Sequence, residues 1–231
     1  MLSVNKLNQF YGQSHTLWDL SFDVPDNACL CVLGRNGVGK TTLMQSIMGL
    51  APQLDGEIVF EGNNLLGLSP ETRAPSGIAY IPQGRQIFSQ LTVEENIKTG
   101  CFANKNSSDV QWNEIYKLFP VLLEMKNRRG GDLSGGQQQQ LAIARALMLD
   151  PRLIIMDEPT EGIQPTIVQE IGGIIQKLNK TKNITVLIVE QKLAFARLVG
   201  THFIILDRGR LVAQGAMGTL SDKLVQEYLT V

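Results

Sequence analysis

A glycine-rich run that ends in Lys-Thr has the residue types and spacing to bind phosphate. It fits the pattern G-x-x-x-x-G-K-[ST], follows the apolar residues 29–33, and consists of Gly34, Arg35, Asn36, Gly37, Val38, Gly39, Lys40 and Thr41, with Thr42 next in the chain. Glycines let the backbone curl so that successive amides face phosphate oxygens, and the following helix adds the positive end of its dipole. Lys40 is expected to reach the β and γ phosphates, and the Thr41 hydroxyl to coordinate Mg²⁺. The alternative, an ordinary glycine-rich turn, does not require this strand–loop–helix context.

Two acidic residues follow a second apolar run, residues 153–156. A buried strand ending there would place Asp157 at the carboxyl edge of a sheet, beside the glycine-rich run, where it can hold Mg²⁺ or one of its waters. Glu158 would then face the γ phosphate and orient or deprotonate the attacking water. Such a pair is often only a solvated strand end. Together with the glycine-rich run, it predicts a catalytic site.

Short β-rich runs alternate with helical patterns, which predicts an α/β fold with a partly parallel sheet. The predicted strands are residues 4–7, 29–33, 57–60, 78–81, 153–156, 185–189, 203–206 and 211–213. The last two flank Asp-Arg-Gly-Arg and should form a hairpin. Strand signals stop between Gln86 and Asp150. A capping box at residues 92–95 and helical patterns over 110–119 and about 135–149 predict a helical insertion there.

Composition restricts the class of protein. The 231 residues are 43% hydrophobic and 19% charged, values typical of a globular chain with a sizeable core. The formal net charge of −1 counts against a strongly basic nucleic-acid binder, so no nucleic-acid partner is expected. The first twelve residues lack a secretory apolar region, and no run approaches the ~18 apolar residues of a membrane span. Three cysteines without a C-x-x-C pair suggest neither disulfides nor zinc, which fits a reducing cytoplasm.

Residues 133–137, Leu-Ser-Gly-Gly-Gln, precede the third predicted helix. By itself Ser-Gly-Gly before a helix is a common N-cap. The glycine-rich run, this sequence and the acidic strand occur in the order of the ATP-binding cassette (ABC) ATPases, and the chain resembles that family from Tyr11 onward. The resemblance implies that Ser134 and the amides of Gly135 and Gly136 form a site for a γ phosphate that the glycine-rich run of the same chain cannot present to them.

The resemblance implies a P-loop NTPase (RecA-like) core with an antiparallel β subdomain and an inserted helical subdomain. Residues 1–231 would form a single ABC ATPase domain, with 1–85 and 151–231 as the core and β subdomain and 86–150 as the helical subdomain. ATP and Mg²⁺ are the implied ligands. Two such domains would pack head to tail, so that Ser134, Gly135, Gly136 and Gln137 of one close over the ATP of the other.

Further positions follow from the resemblance one by one. Gln83 matches a glutamine whose amide oxygen can ligate Mg²⁺ and whose loop senses the transmembrane partner. Tyr11 matches an aromatic residue that stacks on adenine; the alternative is a partly exposed tyrosine at a strand end. A permease would dock near residues 83–92. Three apolar residues there would supply the floor of the docking groove or belong to the local core: Ile87, Phe88 and Leu91.

Two positions depart from the family pattern. Gln191 follows the strand 185–189 where most members have a histidine that contacts the γ phosphate. An amide can donate a hydrogen bond but cannot carry a proton, so slower turnover is expected. Gln164 stands where many members have an aspartate that communicates across the dimer interface. Both departures suggest a second, non-identical ABC ATPase subunit that supplies the usual groups, with a homodimer as the alternative in isolation.

The motifs are most similar to importer ATPases of the branched-chain amino acid and urea type, and within that group to the second ATP-binding subunit of urea transporters. Urea is thus the predicted solute, and a branched-chain amino acid the alternative. A periplasmic solute-binding protein would be an indirect partner, and the chain would lie peripherally on the cytoplasmic face of the plasma membrane. Alternatives from other classes are a soluble ABC ATPase of translation or DNA repair and an ABC module for lipid export.

Overall fold

The computed structural model describes residues 1–103 and 109–230. The strands are β1 (Leu2–Tyr11), β2 (Ser14–Val24), β3 (Cys29–Leu33), β4 (Leu54–Phe60), β5 (Asn63–Asn64), β6 (Ile78–Ile81), β7 (Leu153–Asp157), β8 (Thr185–Val189), β9 (His202–Asp207) and β10 (Arg210–Ala216). The α-helices are α1 (Lys40–Met48), α2 (Pro70–Arg73), α3 (Val93–Thr99), α4 (Asp109–Leu118), α5 (Pro120–Glu124), α6 (Gly135–Leu147), α7 (Pro165–Lys182), α8 (Leu193–Val199) and α9 (Asp222–Tyr228). None of the helices in these ranges is long and apolar enough to cross a membrane.

The larger sheet has the strand order β10-β9-β3-β8-β7-β6. All neighbours pair in parallel except β10, which returns antiparallel to β9 in the predicted hairpin. Every residue of β3, β7 and β8 is buried, as expected for strands covered on both faces. Because these three strands are adjacent and parallel, the loops that leave their carboxyl ends meet at one edge of the sheet.

Side chains of the larger sheet alternate between two cores. In β3, Leu33 faces the core built with α6, α7 and α8, while Leu30 and Val32 face the core shared with α1 and the smaller sheet. This period of two is what a strand between two apolar layers requires. The α/β class and the eight predicted strands are confirmed, although several strands extend beyond their predicted limits.

The smaller sheet is antiparallel, with the order β2-β1-β4-β5. Strand β1 was predicted too short and β2 was missed, because both strands contain irregularities that break the alternation of apolar residues. Lys6 in β1 and Asp19 in β2 adopt positive φ angles of 46°. The buried residues on either side of each irregularity are therefore three positions apart instead of two; in β2 they are Leu17 and Leu20. Irregularities of this kind cannot be found by searching for period-two patterns.

Helices α3 to α6 lie between β6 and β7 in the chain. The predicted capping box is confirmed at α3, where the Thr92 hydroxyl accepts from the Glu95 amide and the Glu95 carboxylate accepts from the Thr92 amide. The other two predicted helices correspond to α4 and to α6, which ends two residues earlier than the pattern indicated. Buried residues of α3 and α6 belong to the same core as β7 and β8, so the helical segment is attached to the sheet by apolar packing.

Helix α7 was not predicted. Two adjacent glycines near its centre lower the helical signal of an otherwise amphipathic segment. Gly172 is required by packing, because a Cβ at this position would lie 2.7 Å from Cδ2 of Leu198 on α8. The close contact between α7 and α8 therefore explains why a glycine stands at position 172, although it weakens the helical pattern of the sequence.

Candidate functional site

A cavity of about 370 Å³ opens at the carboxyl edge of the larger sheet. It is lined by Thr16, Asn36, Gly37, Gly39, Lys40, Thr41, Thr42, Gln83, Glu158, Glu161 and Gln191. Residues from the glycine-rich run, from the end of β6, from the acidic pair and from the loop after β8 thus meet around one space. Topology explains the convergence, because each segment leaves the carboxyl end of a parallel strand.

The glycine-rich run forms the floor of this cavity. Gly37 and Gly39 have φ angles of 77° and 104°, which side-chain-bearing residues rarely adopt. A Cβ on Gly39 would also lie 2.7 Å from Cδ2 of Leu17. Gly39 is the N-cap of α1 and supplies no side-chain cap, so the first amides of α1 are available to an anion. The run therefore has the geometry of a phosphate cradle.

Lys40 folds back over this cradle and is only 5% exposed. Its Nζ donates hydrogen bonds to the carbonyl oxygens of Gly34 at 2.8 Å and Arg35 at 2.7 Å. Burial lowers the pKa of Lys40, while the charges of Glu158 and Asp157 oppose that shift. Because neutral carbonyls are weak partners for a buried ammonium, a phosphate group would bind it more favourably.

Asp157 is 2% exposed, and neither carboxylate oxygen has a hydrogen-bond partner among the described residues. Burial raises the pKa of Asp157 to about 6, although the Thr41 side chain offsets part of the rise. Such an orphaned carboxylate beside a hydroxyl suits Mg²⁺, which takes oxygen ligands and is commonly held by one or two carboxylates plus substrate phosphates. Within the described ranges there is no cluster of three or more His, Cys, Asp or Glu side chains. Thr41 and Asp157 therefore fit a Mg²⁺ ion that binds with nucleotide.

Replacing Asp157 with asparagine should stabilise the nucleotide-free protein at pH 8, although it removes a predicted Mg²⁺ ligand. Because the folded-state pKa of about 6 lies above the ordinary aspartate pKa of 3.8, wild-type stability should fall as the pH rises through that window. This difference in pKa corresponds to about 3 kcal/mol, which the variant would recover above pH 6 but not at pH 4. Urea unfolding in EDTA at both pH values tests this. An equal difference at pH 4 and pH 8 would contradict it.

Glu158 adopts a positive φ angle of 50° directly after β7. Its amide donates to the carbonyl oxygen of Val189 at 2.9 Å, which anchors the residue to the end of β8. The side-chain Nε2 of Gln191 donates to Glu158 Oε1. The carboxylate predicted to act on water is thus held at the cavity by the side-chain amide of Gln191.

The segment after β6 contacts two other parts of the site. Gln83 Nε2 donates to Glu161 Oε2 at 2.9 Å, so Gln83 is tied to the loop that follows Glu158. Arg85 donates to the carbonyl oxygen of Glu161 at 3.0 Å and to Oε1 of Gln138 on α6 at 3.2 Å. Hydrogen bonds therefore connect this segment both to the cavity and to α6.

Ser134 and its neighbours lie outside the cavity of their own chain. Ser134 is exposed and caps α6: its amide donates to Oε1 of Gln137 at 2.9 Å, and its hydroxyl accepts from the Gln137 amide at 3.4 Å. Gly135 packs beside Arg85, and a Cβ on Gly136 would lie 2.7 Å from the side chain of Ile167. The Ser134 hydroxyl is accordingly accessible to a ligand held by another molecule.

Besides residues 134–137, four predicted nucleotide contacts do not line the cavity. Tyr11 is 44% exposed at the end of β1, and its hydroxyl donates to Gln45 Oε1 on α1 at 3.2 Å. Val38 is buried in the core beside α1, Gly34 packs against the backbone of Leu206, and Arg35 donates to the carbonyl oxygen of Thr230. Adenine stacking on Tyr11 therefore stays a prediction.

Thr16 and Glu161 line the cavity but were not predicted. Thr16 belongs to β2 and reaches the cradle only because the smaller sheet packs against α1, so no local pattern signals it. Glu161 lies in the loop after the acidic pair, so its charge and position in the sequence were a signal that it belongs to the site. Its contact with Gln83 spans 78 residues of chain, and no local pattern in the sequence predicts such a contact.

An open groove of about 580 Å³ lies beside the predicted docking segment. Phe88 and the 85%-exposed Phe102 line it. Ile87 packs instead against the core that the larger sheet forms with α6, α7 and α8, and Leu91 is half-buried. Of the three apolar residues considered for the groove floor, Phe88 is the one that lines it.

Comparisons with known proteins agree with this fold. A family model described as ABC transporter matches residues 17–161. The high-affinity branched-chain amino acid transport ATP-binding protein BraG of Pseudomonas aeruginosa is 39% identical over 99% of both chains. The lipopolysaccharide export system ATP-binding protein LptB of Haemophilus influenzae is 32% identical over 93% of this chain and 90% of its own. A solved ATP-binding cassette of an ABC transporter, MJ1267, has a TM-score of 0.87 at 27% identity, covering 98% of this chain and 97% of that one.

Proposed function

The chain belongs to the ABC transporter family, and from this premise we propose that its ATPase activity drives import of a branched-chain amino acid through a membrane permease. The observation that carries the proposal is the similarity to BraG along the full length of both chains. The site of this chain supports the ATPase part, because the phosphate cradle and the Glu158 carboxylate line one cavity, and the buried Asp157 carboxylate lies at the same edge of the sheet.

The nucleotide would lie with its phosphates on the amides at the start of α1. Lys40 would exchange the carbonyl oxygens of Gly34 and Arg35 for phosphate oxygens, since its Nζ is already at the cradle. Thr41 and Asp157 would hold Mg²⁺, whose role is to neutralise charge on the phosphates. The amide oxygen of Gln83 could join them, because the bond to Glu161 uses only the side-chain nitrogen of Gln83.

Glu158 would orient and deprotonate the attacking water. Gln191 holds Glu158 by a hydrogen bond, and a glutamine side chain cannot take up the proton that leaves the water. The proton would therefore remain on the Glu158 carboxyl until it passes to solvent or phosphate. This is the physical basis for the slow turnover predicted for a site without histidine.

A second ABC ATPase domain would complete the site. Ser134 is exposed and does not line the cavity of its own chain, which supports the prediction that residues 134–137 contact ATP bound to a partner. Gln164 and Gln191 favour a non-identical partner over a second copy. ATP would draw the two domains together, and hydrolysis would let them separate, which couples chemistry to the permease.

The permease would dock at the groove beside Phe88, and the chain would lie peripherally on the cytoplasmic face of the membrane. Gln83 and Arg85 connect that segment to Glu161, so docking and the nucleotide cavity share hydrogen bonds. A periplasmic solute-binding protein would act indirectly, through the permease. Lipid export is the weaker alternative, because LptB is less similar than BraG.

The solute is tested by reconstitution of this chain with its permease, its ATPase partner and its solute-binding protein in liposomes. Leucine is expected to raise ATP hydrolysis several-fold over the solute-free complex, and urea to leave it unchanged. Stimulation by urea alone would contradict the branched-chain proposal and support the urea transporter prediction. A complex that carries Lys40→Ala supplies the background rate.

A further inference from the structure

Glu190 is a buried carboxylate that the mechanism above does not use. It is 2% exposed and lies between β8 and Gln191. Its Oε2 accepts a hydrogen bond from the Thr160 hydroxyl at 2.7 Å. Its Oε1 accepts from the amides of Gln191 at 2.8 Å and Lys192 at 2.9 Å. Three donors therefore converge on one charged group, which compensates the cost of burying it.

These contacts join two loops that are far apart in sequence. Thr160 is fully buried in the loop after β7, thirty residues before Glu190. The ammonium of Lys192 makes a second link, since its Nζ donates to the carbonyl oxygen of Thr160 at 2.8 Å. The loops after β7 and β8 are thus connected twice at Thr160, once through its hydroxyl and once through its carbonyl oxygen.

The connection closes a ring around the predicted base. Gln191 Nε2 donates to Glu158 Oε1, and Glu158 precedes Thr160 by two residues. Starting at Glu158, the ring runs along the chain to Thr160, across to Glu190, along the chain to Gln191 and back to Glu158. The Glu158 carboxylate is therefore linked to Thr160 and Glu190 by hydrogen bonds and short stretches of chain.

The nature of Glu190 fits such a role better than a role in stability alone. A buried charge is weak support for stability, and a well-packed apolar residue often stabilises as much. A fully satisfied polar network instead restricts its members to one geometry. Glu158 needs that restriction because its backbone has a positive φ angle of 50° that a non-glycine residue rarely adopts.

We infer that Glu190 is a positioning residue for ATP hydrolysis: through Thr160 and the Gln191 amide it holds the loops after β7 and β8 so that Glu158 points at the attacking water. The inference rests on the proposed roles of Glu158 and Gln191. It assigns no proton transfer to Glu190. The hydrogen bonds of Glu190, more than its charge, are what the reaction needs.

The test compares Glu190→Ala with Glu190→Gln in the full chain. Glu190→Ala should lower kcat roughly 10- to 100-fold, because small displacements of a catalytic group are costly, and should leave the KM for ATP within about twofold. Glu190→Gln should retain most of the activity. Its Oε1 can still accept from the two amides, and the Thr160 hydroxyl can rotate to accept from its Nε2. Equal losses in both variants would show that the charge matters and would overturn the inference.

A milder pair probes the other end of the link. Thr160→Val removes the hydroxyl with little change in volume and should lower kcat roughly three- to tenfold, whereas Thr160→Ser should be close to wild type. In Glu190→Ala/Thr160→Val the two losses should not multiply, because both variants break the same hydrogen bond. Independent, multiplying losses would overturn the link between these residues.

Asn179→Ala is the matched control. Asn179 is also buried, and its Nδ2 donates to the carbonyl oxygens of Asn27 at 2.8 Å and Ile184 at 3.0 Å, at the opposite edge of the sheet. It should lower the thermal midpoint without a fall in kcat. If Glu190→Ala behaves in the same way, Glu190 is only structural and the inference fails.

Amide hydrogen exchange separates this inference from the proposed function. In nucleotide-free protein, Glu190→Ala and Thr160→Val should speed exchange in residues 158–164, and Asn179→Ala should not. Unchanged exchange in that loop would overturn the positioning role whatever the ATPase rates are. Normal hydrolysis by Glu158→Gln, by contrast, would contradict the proposed role of Glu158 and leave the exchange result intact.

Discussion

ATP hydrolysis by the Glu158→Gln variant is expected to fall at least ~100-fold, the contribution of a general base, while ATP binding persists. Glu158 lines the cavity at the end of β7, and Gln191 orients its carboxylate. The amide that replaces the carboxylate keeps the size of the side chain but cannot accept the proton of the attacking water. Since ATP is bound and not consumed, closed dimers should accumulate.

Steady-state ATPase rates and size-exclusion chromatography with Mg²⁺-ATP measure the two effects, for the chain alone and mixed with its partner. Glu114→Gln is a suitable control, because Glu114 is an exposed carboxylate of α4 that pairs with Lys182, away from the cavity lining. It should hydrolyse ATP normally and show no ATP-dependent dimer excess. A Glu158→Gln variant with the wild-type rate would remove Glu158 from its proposed role.

Lys40→Ala should lose both hydrolysis and tight nucleotide binding. The buried ammonium of Lys40, in the glycine-rich run, is the cation that the cavity offers to a phosphate group. Truncating one partner of a buried charged contact costs about 2 to 4 kcal/mol, or roughly 30- to 1000-fold in affinity. Folding should survive, because the two hydrogen bonds that Lys40 makes are to carbonyl oxygens of the cradle itself.

Titration with a fluorescent ATP analogue gives the affinity, and thermal unfolding checks the fold. Lys177→Ala removes an exposed lysine of α7 and should bind the analogue as wild type does. Binding by Lys40→Ala at wild-type affinity would show that the ammonium does not reach the nucleotide. The two variants therefore separate binding from chemistry: Lys40→Ala loses both, and Glu158→Gln loses only the second.

The sequence was sufficient to predict those elements whose conformation depends on residues close to them in the chain. The glycine-rich run, the apolar runs of β3, β7 and β8, the hairpin of β9 and β10 and the capping box of α3 each lie within a few residues of chain. Their geometry follows from local preferences for φ, burial and capping. The family resemblance and the α/β class could be predicted from these segments and their order.

Residues that break local rules for reasons of packing were predicted poorly. The irregularities at Lys6 and Asp19 hid the full length of β1 and all of β2, and Gly172 weakened α7. In each case a distant element decides the local conformation. A pattern of period two or 3.6 contains no information about that element.

The sequence by itself determined which residue types stand at the ends of the parallel strands, and hence that phosphate and Mg²⁺ chemistry is available. Only the tertiary structure decided that Asp157 is buried without a hydrogen-bond partner among the described residues, that Gln191 bonds Glu158, and that Glu190 reaches Thr160. These contacts join loops separated by thirty or more residues, which meet because β7 and β8 are neighbours in the sheet. Strand adjacency is a property of the folded chain, and no local pattern specifies it.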